Sequence, residues 1–423
     1  MPERRLPVRP DLDQLKRQAK DLLKAIRRGD SEALAEFRLH HPSPPEPENA
    51  KLADAQLALA RAYEASSWTR LVQGCRLVDA IWADDLEALL ALIDANPRLL
   101  TEDALIRRNS NWGPPMTYAA NVGRDRIIEA LYERGARDLE SALDRAVLQG
   151  RIGTAVMLHR LAGSPKPPEG SLGGPAYTLS ASGTEFVLRL GAKVLDAEGR
   201  SIAPVDVVLE TDSRDPEAKH AILEMYVANG VVLPDTPVMA LHRGRIDLLE
   251  AHVRRDPGVL NRTFSHDEIY PPDLRCHDEV LATQGTPLKG TTLLHLCADY
   301  DEFEIAKWLI AKGADVNARA ALDAEGFGGH TALFGTVISQ PAFWMNHQGR
   351  PQETPFTKLL LDHGADPNVR ASLRKQLHPG YEKDSPLLEF RDVTALSWGR
   401  RYPYRKFVSE PAMNLIAGAG GVE

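Results

Sequence analysis

The chain has 423 residues, of which 43% are apolar and 26% charged, proportions typical of a folded, soluble protein. Its net charge of −8 argues against a dedicated nucleic-acid binder, because such proteins need a basic face to displace the counterions of phosphates. The aromatic fraction of 6% is low for one large core. It favours an array of thin layers built from alanine and leucine.

Two further features bear on location. No apolar run approaches the ~18–20 residues that a membrane-spanning helix requires, and the N-terminal residues lack the apolar core of a secretory signal. The three cysteines, Cys75, Cys276 and Cys297, are too few and too far apart for a disulfide framework. We therefore expect a cytoplasmic protein that does not contact a membrane.

Residues 1–74 are predicted to form an N-terminal helical segment. Asp11 is suited to cap a first helix, whose apolar stripe includes Leu15, Ala19 and Leu22 and which ends at Gly29. Asp30 begins a second short helix, and residues 52–63 carry the periodicity of a third. Lysines and arginines on the first helix are interpreted as its solvated face, opposite the stripe.

Pairs of helical patterns then recur to the end of the chain. The first is degenerate and covers residues 77–93. Later pairs end at short Gly-Ala motifs or begin with Thr-Ala-Leu-like motifs, and we count eight or nine in total. Their positions are 115–136, 139–161, a unit of which only the end at 186–192 is recognised, 222–230, 236–253, 290–318, 329–368 and 393–416. Such regular recurrence indicates a repeat protein.

The clearest unit begins at Gly290. It reads Gly-Thr-Thr-Leu-Leu-His-Leu-Cys-Ala, continues through an apolar helix at residues 304–310, and ends in Gly-Ala-Asp-Val-Asn at residues 313–317. This unit resembles the ankyrin repeat over its whole length, with Thr292 and His295 at the positions of the family's Thr and His. Leu293 and Cys297 replace the usual Pro and Ala.

The resemblance implies an all-α repeat solenoid, an ankyrin stack with short β-turn fingers, preceded by the small helical segment. It implies an ankyrin-repeat domain at residues 75–423, with long inserts near residues 261–289, 341–353 and 370–392. The N-terminal segment is similar to a helical region of unknown role that precedes ankyrin arrays in some bacterial proteins. That similarity rests on residues 15–23 and 51–57.

The family implies a non-catalytic scaffold that binds a protein partner through the concave face, made of finger tips and inner helices. No catalytic, metal or cofactor site is expected, and a monomer is expected. The partner-binding residues that we predict on this face are Tyr300, Asp323, Phe327, His330 and Arg374. Phe327, Phe343 and Trp344 lie in predicted loops, and we expect them to pack against the repeats.

Two other functions remain open at this stage. Arginines 391, 400, 401 and 405 and Lys406 alternate with Trp398, Tyr402, Tyr404 and Phe407, which could bind nucleic acid or another anionic surface. We favour a capping last repeat with buried rings instead. The insert at residues 266–279 contains His266, Asp267, Glu268, Cys276, His277, Asp278 and Glu279, which are metal-ligand types. It lacks zinc-site spacing, so a metal-dependent enzyme is the weaker alternative to a polar loop.

Overall fold

The computed structural model describes residues 4, 6–105, 112–211, 213–276, 285–338, 353–376 and 386–423. The chain divides into two compact units, Met1–Pro165 and Lys166–Glu423. This division does not coincide with the predicted domain boundary after residue 74. That boundary rests on the end of the N-terminal helical pattern in the sequence, and it stays a prediction. No helix in the described part of the chain is both long and apolar enough to span a bilayer.

The first unit begins with three helices, α1 (Leu12–Arg27), α2 (Ser31–His40) and α3 (Leu52–Ala62). The Asp11 carboxylate accepts hydrogen bonds from two backbone N–H groups of the first turn, as an N-cap does. Helix α1 buries the stripe Leu15, Ala19, Leu22 and Ile26, as its periodicity predicts.

Three helix pairs follow in the first unit. They are α4 (Trp68–Ala83) with α5 (Leu86–Ala95), α6 (Pro115–Val122) with α7 (Asp125–Glu133), and α8 (Leu139–Leu148) with α9 (Ile152–Leu161). Helices α1 and α3 pack on α4. An ion pair between Arg9 Nε and Asp79 Oδ1, at 2.9 Å, joins the N-terminal segment to the same helix.

In its described residues, the second unit contains six more pairs, one short extra helix and two strands. The pairs are α10 (Gly173–Thr178) with α11 (Ala181–Arg189), α12 (Val205–Glu210) with α13 (Pro216–Ala228), α14 (Pro237–His242) with α15 (Ile246–Arg255), α17 (Leu293–Tyr300) with α18 (Phe303–Ala311), α19 (Ala332–Val337) with α20 (Pro355–Asp362), and α21 (Ala395–Arg401) with α22 (Glu410–Gly418). The extra helix is α16 (His266–Ile269), and the strands are β1 (Ala371–Lys375) and β2 (Leu388–Val393).

The two helices of the pair α17–α18 differ in burial, which explains their composition. Every residue of α17 is buried, whereas α18 buries only Ile305, Ala306 and Leu309. An inner helix enclosed by its neighbours on all sides must be short and rich in small or aliphatic residues. An outer helix needs only one apolar stripe. The described residues form nine helix pairs, which lies within the predicted number of eight or nine.

Asparagine side chains link the last four pairs through the turns that follow α15, α18 and α20. The Oδ1 atoms of Asn261, Asn317 and Asn368 accept hydrogen bonds from the backbone N–H groups of Asp315, Asp366 and Val422, at 2.8, 2.8 and 2.9 Å. Each turn therefore binds the turn of the next pair. This contact gives a structural reason for the final Asn of the Gly-Ala-Asp-Val-Asn motif.

The predicted inserts contain more structure than their polar sequences indicate. The insert at residues 370–392 provides β1 and β2, an antiparallel hairpin that the sequence analysis did not predict. The insert at residues 261–289 contains α16, and the ring of Tyr270 is buried against the repeats. Most of the insert at residues 341–353, with Phe343 and Trp344, lies outside the described residues.

Candidate interaction surface

The hairpin is the centre of the candidate site. Strands β1 and β2 pair with Leu373 opposite Phe390 and Arg374 opposite Glu389. The alternation of a strand then sends Leu373 and Phe390 inward and Arg374 and Glu389 outward, which agrees with the burial of each. An insert between helices thus presents one polar, accessible sheet face.

A glycine-containing loop, residues 321–329, packs along the other edge of β1. Gly328 and Ser372 form a β-bridge with backbone hydrogen bonds in both directions, at 2.6 and 3.2 Å. Gly328 has φ of +121°, and a Cβ atom there would lie 2.1 Å from the carbonyl oxygen of Ala321. Only glycine fits this close approach within the loop. The two hydrogen bonds of the Gly328–Ser372 bridge then hold the loop to the strand through backbone contacts.

Two arginines from the hairpin contact the aromatic ring of the loop. The guanidinium carbons of Arg374 and Arg391 lie 4.3 and 4.2 Å from the ring centroid of Phe327, well within cation–π range. The Phe327 residue is only 5% exposed, so it packs against the molecule, as predicted. Its ring fixes the position of both guanidinium groups.

Carboxylates of the same loop hold Arg374. Its guanidinium donates to Asp323 and to Glu325, the latter at 2.9 Å. Asp323 also accepts the backbone N–H groups of Glu325 and Phe327, each at 2.9 Å. Desolvation by burial raises the pKa of Asp323, but the bonds from the Phe327 and Glu325 N–H groups and from the Arg374 guanidinium together outweigh it and lower that pKa.

Apolar and cationic side chains lie side by side at the end of this loop. Leu322 is 67% exposed, and its Cδ2 atom lies 3.3 Å from where a Cβ of Gly329 would be. The Nη2 atom of Arg319 lies 3.4 Å from the same point. We name this region the hairpin surface, and its residues are Arg319, Leu322, Asp323, Phe327, Arg374 and Arg391.

A buried charged cluster lies in the same unit, around Tyr300. The Arg214 Cζ and Lys219 Nζ atoms are 4.8 and 4.4 Å from the Tyr300 ring centroid. Arg214 pairs with Asp299 at 2.9 Å, and Lys219 pairs with Glu302 at 2.6 Å, with all four side chains at most 5% exposed. The Tyr300 hydroxyl donates to the carbonyl of Leu209 at 2.8 Å.

Strand β1 connects the hairpin surface to this cluster. Lys375 is 1% exposed and follows Arg374 on the opposite face of the strand. Burial raises the pKa of Asp299 to about 6, and the cations of Arg214 and Lys375 oppose that rise. Neighbouring residues of β1 therefore belong to two different clusters. Arg374 belongs to the hairpin surface, and Lys375 belongs to the buried charged cluster.

His295 and His330 form the internal contact between two pairs. The Nδ1 atom of His295 is 2.9 Å from the Thr292 hydroxyl, and its Nε2 atom is 3.0 Å from the carbonyl oxygen of His330. Burial lowers the pKa of His295 to about 4 and that of His330 to about 3. Both rings are thus neutral structural groups at pH 7.

The five predicted partner-binding residues fall into two sets. Asp323, Phe327 and Arg374 come together at the hairpin surface, where the Phe327 ring is itself buried, whereas Tyr300 and His330 are buried elsewhere, at 3% and 1% exposed. Sequence reasoning missed Arg319 and Leu322. The only signal for them was their position between a repeat end and the Gly-Phe-Gly-Gly sequence, which alone does not show exposure.

The described part of the metal-ligand insert uses its polar groups locally. Glu268 accepts the backbone N–H of Ser265 and the guanidinium of Arg262, at 2.8 and 2.9 Å. No group of three or more His, Cys, Asp or Glu side chains suited to a metal ion forms within the described residues. His277, Asp278 and Glu279 lie outside those residues.

Most aromatic side chains of the last repeat are packed in the interior rather than exposed to solvent. Trp398, Tyr402 and Phe407 are at most 2% exposed, and the Phe390 ring contacts the Trp398 and Tyr402 rings at centroid distances of 4.6 and 6.2 Å. Arginines 391, 400, 401 and 405 are exposed. This arrangement matches the capping interpretation of the last repeat and leaves these three rings unable to stack on bases.

Comparison with known families bears on the pair α17–α18. Residues 289–321, which contain the Thr292–His295 contact and the turn with Asn317, match the family model of the ankyrin repeat. This segment is an ankyrin repeat. The predicted fold class, an all-α ankyrin stack with short β-turn fingers, is confirmed by the helix pairs and this match. In this structure, the Thr of the ankyrin motif, Thr292, is the N-cap of α17, and its His, His295, bonds the backbone carbonyl of His330 in the next repeat.

Other similarities are more distant. Among solved structures, the human ASB11 ankyrin repeat domain is 16% identical, with a TM-score of 0.25, over 71% of this chain and 97% of that one. The ankyrin repeat domain of Bcl-3, described as a member of the IkappaB protein family, is 14% identical, with a TM-score of 0.22, over 65% and 97% of the two chains. No curated protein sequence matches the chain significantly.

Proposed function

We propose that this ankyrin-repeat chain is a non-catalytic scaffold that binds a protein partner in the cytoplasm, and that the hairpin surface is its main contact region. Ankyrin repeats are protein-interaction modules, which supports a binding role. The finer proposal rests on one observation. Three of the five residues predicted for the concave face contact one another, with Asp323 the most accessible of them, beside a leucine that is 67% exposed.

The physical character of this surface fits protein recognition. Interfaces combine apolar and arginine anchors with surrounding polar groups. Leu322 supplies the apolar anchor. Arg391, whose side chain is 59% exposed, supplies a guanidinium that the Phe327 ring holds in place.

The nucleic-acid alternative has less support. Binding of single strands uses exposed aromatic rings as stacking platforms. At the hairpin surface, Arg374 and Arg391 cover the Phe327 ring. The rings of the last repeat, Trp398, Tyr402 and Phe407, are buried. A protein partner is therefore the better proposal.

The test is affinity capture with immobilised full-length protein from the lysate of its source cells, at two salt concentrations, followed by mass spectrometry and a nucleic-acid stain. The comparison is between Leu322→Ser/Arg391→Gln and a matched control, Leu39→Ser/Arg254→Gln. Leu39 is 73% exposed and Arg254 is exposed, and neither is among the residues of the hairpin surface.

We expect a specific protein to be enriched by the native chain and the control variant, and to be lost with the surface variant. Equal enrichment by both variants would show that the partner binds elsewhere on the chain. Nucleic acid as the only captured species would contradict a protein scaffold.

A further inference from the structure

We propose that a groove among the N-terminal helices binds a basic, arginine-containing segment of a partner protein. The groove lies between α1, α2 and the end of α3, and its volume is about 840 Å³, within the range of ligand pockets in proteins. It belongs to the first unit, whereas the hairpin surface belongs to the second. The inference therefore goes beyond the proposed function and assigns a second binding site to the chain.

Acidic side chains are concentrated on the walls of this groove. Residues 1–74 contain thirteen Lys and Arg against eleven Asp and Glu, a net charge of +2. Of the described residues that line the groove, however, two are basic and five are acidic. Lys24, whose Nζ atom lies 3.5 Å from a carboxylate oxygen of Asp21, reduces the excess to two negative charges. We call the region the acidic groove, and its charged residues are Arg4, Asp21, Asp30, Glu32, Glu36, Arg61 and Glu64.

The acidic groove already holds one guanidinium of the chain itself. Arg4 donates to both carboxylate oxygens of Glu36, from Nε and, at 3.0 Å, from Nη2. Its Cζ atom lies 5.9 Å from the ring centroid of Tyr63, within cation–π range. Glu36 is buried, and a buried carboxylate needs a partner cation. The groove wall is thus built to pair with an arginine side chain.

Two more carboxylates lie beside this first arginine position. Glu32 and Glu36 are four residues apart on α2, so their side chains lie on the same face of the helix. Asp30 caps α2 by accepting the N–H of Ala33 at 2.9 Å. Both Asp30 and Glu32 are exposed, and neither forms an ion pair with another described residue. A second arginine, supplied by a partner, would therefore find two accessible carboxylates.

The charge and the lining of the groove together select the occupant. A planar guanidinium matches the two oxygens of a carboxylate, and its methylene stem can lie against the buried Leu22 and Ala33, which also line the groove. The negative excess would repel an anionic ligand such as nucleic acid. Since the described residues contain no group of three or more side chains suited to a metal ion, an extended cationic segment fits better than a metal.

The probe is a short fluorescein-labelled peptide that alternates arginine and serine. In the control peptide, citrulline, an uncharged analogue of similar shape, replaces every arginine. A third peptide has lysine at the same positions. Each is titrated against the full-length chain by fluorescence anisotropy, at low and at physiological salt.

The groove variant is Asp30→Asn/Glu32→Gln, which removes two charges and nearly preserves the shape of both side chains. Asparagine also caps helices well, so α2 should stay folded. The matched control is Asp85→Asn/Glu87→Gln at the start of α5, where Asp85 caps the helix by accepting the N–H of Ala88 at 2.9 Å. Because the whole chain carries −8, this control measures non-specific attraction of the peptide. Circular dichroism verifies that every variant is folded.

We expect the arginine peptide to bind, the citrulline peptide to bind at least about tenfold more weakly, and the lysine peptide to lie between them. The groove variant should weaken binding about threefold to tenfold and reduce its salt dependence, because two ion pairs are lost. The matched control and Leu322→Ser/Arg391→Gln should bind as the native chain does. Leu39→Ser, at another residue that lines the groove, should change binding by less than about twofold, because charges carry the recognition.

Four results would overturn the inference. One is no binding of the arginine peptide, and another is equal binding of the citrulline peptide. The third is an equal effect of the groove variant and its matched control, which would assign the binding to the net charge of the chain. The fourth is a larger loss with Leu39→Ser than with the groove variant, which would indicate an apolar ligand. None of these results bears on the hairpin surface, which the capture experiment tests with other variants.

Discussion

The imidazole of His295 joins two repeats through both of its nitrogen atoms. Thr292 fixes one nitrogen and the carbonyl of His330 fixes the other, so the ring is held in one orientation within the buried inner helix α17. A protonated ring would place a charge among apolar groups and could no longer accept at Nδ1. The contact therefore depends on a neutral histidine, so its contribution to stability should vary with pH.

We expect His295 to make the second unit sensitive to acid. Its folded pKa is about 4, below the ordinary value of 6.5, so the unfolded chain binds the proton more readily between these values. The stability that His295 supplies is complete above pH 6.5 and declines as the pH falls towards 4. His330, with a pKa of about 3, acts in the same direction, whereas the raised pKa of Asp299 acts in the opposite one.

Urea unfolding of the native chain and of His295→Gln, at several pH values from 7.5 to 4.5, measures this effect. At pH 7.5 the variant should be less stable by about 1–2 kcal/mol, because it loses hydrogen bonds of the buried ring. The difference should shrink as the pH falls, since only the native chain retains this titrating group. A difference that stays constant across the range would show that His295 does not couple to pH.

Residue roles were predictable from sequence where a motif dictates them. The capping role of Thr292 and the bonding role of His295 follow from their motif positions. The exposure of Leu322 and the stacking of Arg391 do not follow from any local pattern. They depend on how an insert folds back onto a loop some 60 residues earlier in the chain, which periodicity cannot show.

At the scale of elements, the asparagine contacts decide how one repeat is placed on the next. Asn317 accepts the N–H of Asp366 at 2.8 Å and donates to the carbonyl of Gly364 at 2.9 Å. Both partners belong to the turn after α20. One side chain thus satisfies a donor and an acceptor of the next repeat's turn, whose backbone groups have no helical partners.

We expect Asn317→Ala to destabilise the contact between α17–α18 and α19–α20 by about 1–2 kcal/mol, the typical range for two partly exposed hydrogen bonds. The matched control is Asn229→Ala, which removes one hydrogen bond within its own helix end, to the carbonyl of Met225. Hydrogen exchange should show faster exchange of the Asp366 amide in Asn317→Ala alone. Equal effects of the two variants would exclude an inter-repeat role.

Helices were more predictable than strands for a physical reason. Apolar periodicity identified the helix pairs, and their turns carry Gly-Ala motifs with a left-handed glycine, such as Gly313 at φ of +101°. Strands β1 and β2 lie in an insert whose inward positions include the polar Lys375, so the alternation of apolar residues is broken. Their pairing is a long-range contact, which an insert in a helical array gave no reason to expect.

At the scale of the whole molecule, the second unit contains a connection that skips a repeat. Arg214 lies between α12 and α13, and Asp299 lies near the end of α17, with the pair α14–α15 between them in sequence. The Arg214 Nε atom also donates to the backbone carbonyl of Asp299, at 2.6 Å. Helix α14 has only six residues. We infer that its shortness leaves room for the repeats on either side to meet.

We expect Arg214→Leu to destabilise the second unit by about 3–5 kcal/mol, because it leaves the buried Asp299 carboxylate without its guanidinium. The double variant Arg214→Leu/Asp299→Leu should recover much of that loss, since apolar pairs can replace buried ion pairs at little cost. Hydrogen exchange with mass spectrometry would follow each unit separately, and residues 1–165 should exchange as in the native chain. If the double variant were as unstable as the single one, the arginine would act chiefly through its bonds to backbone carbonyls, and the ion pair would not be what joins the two repeats.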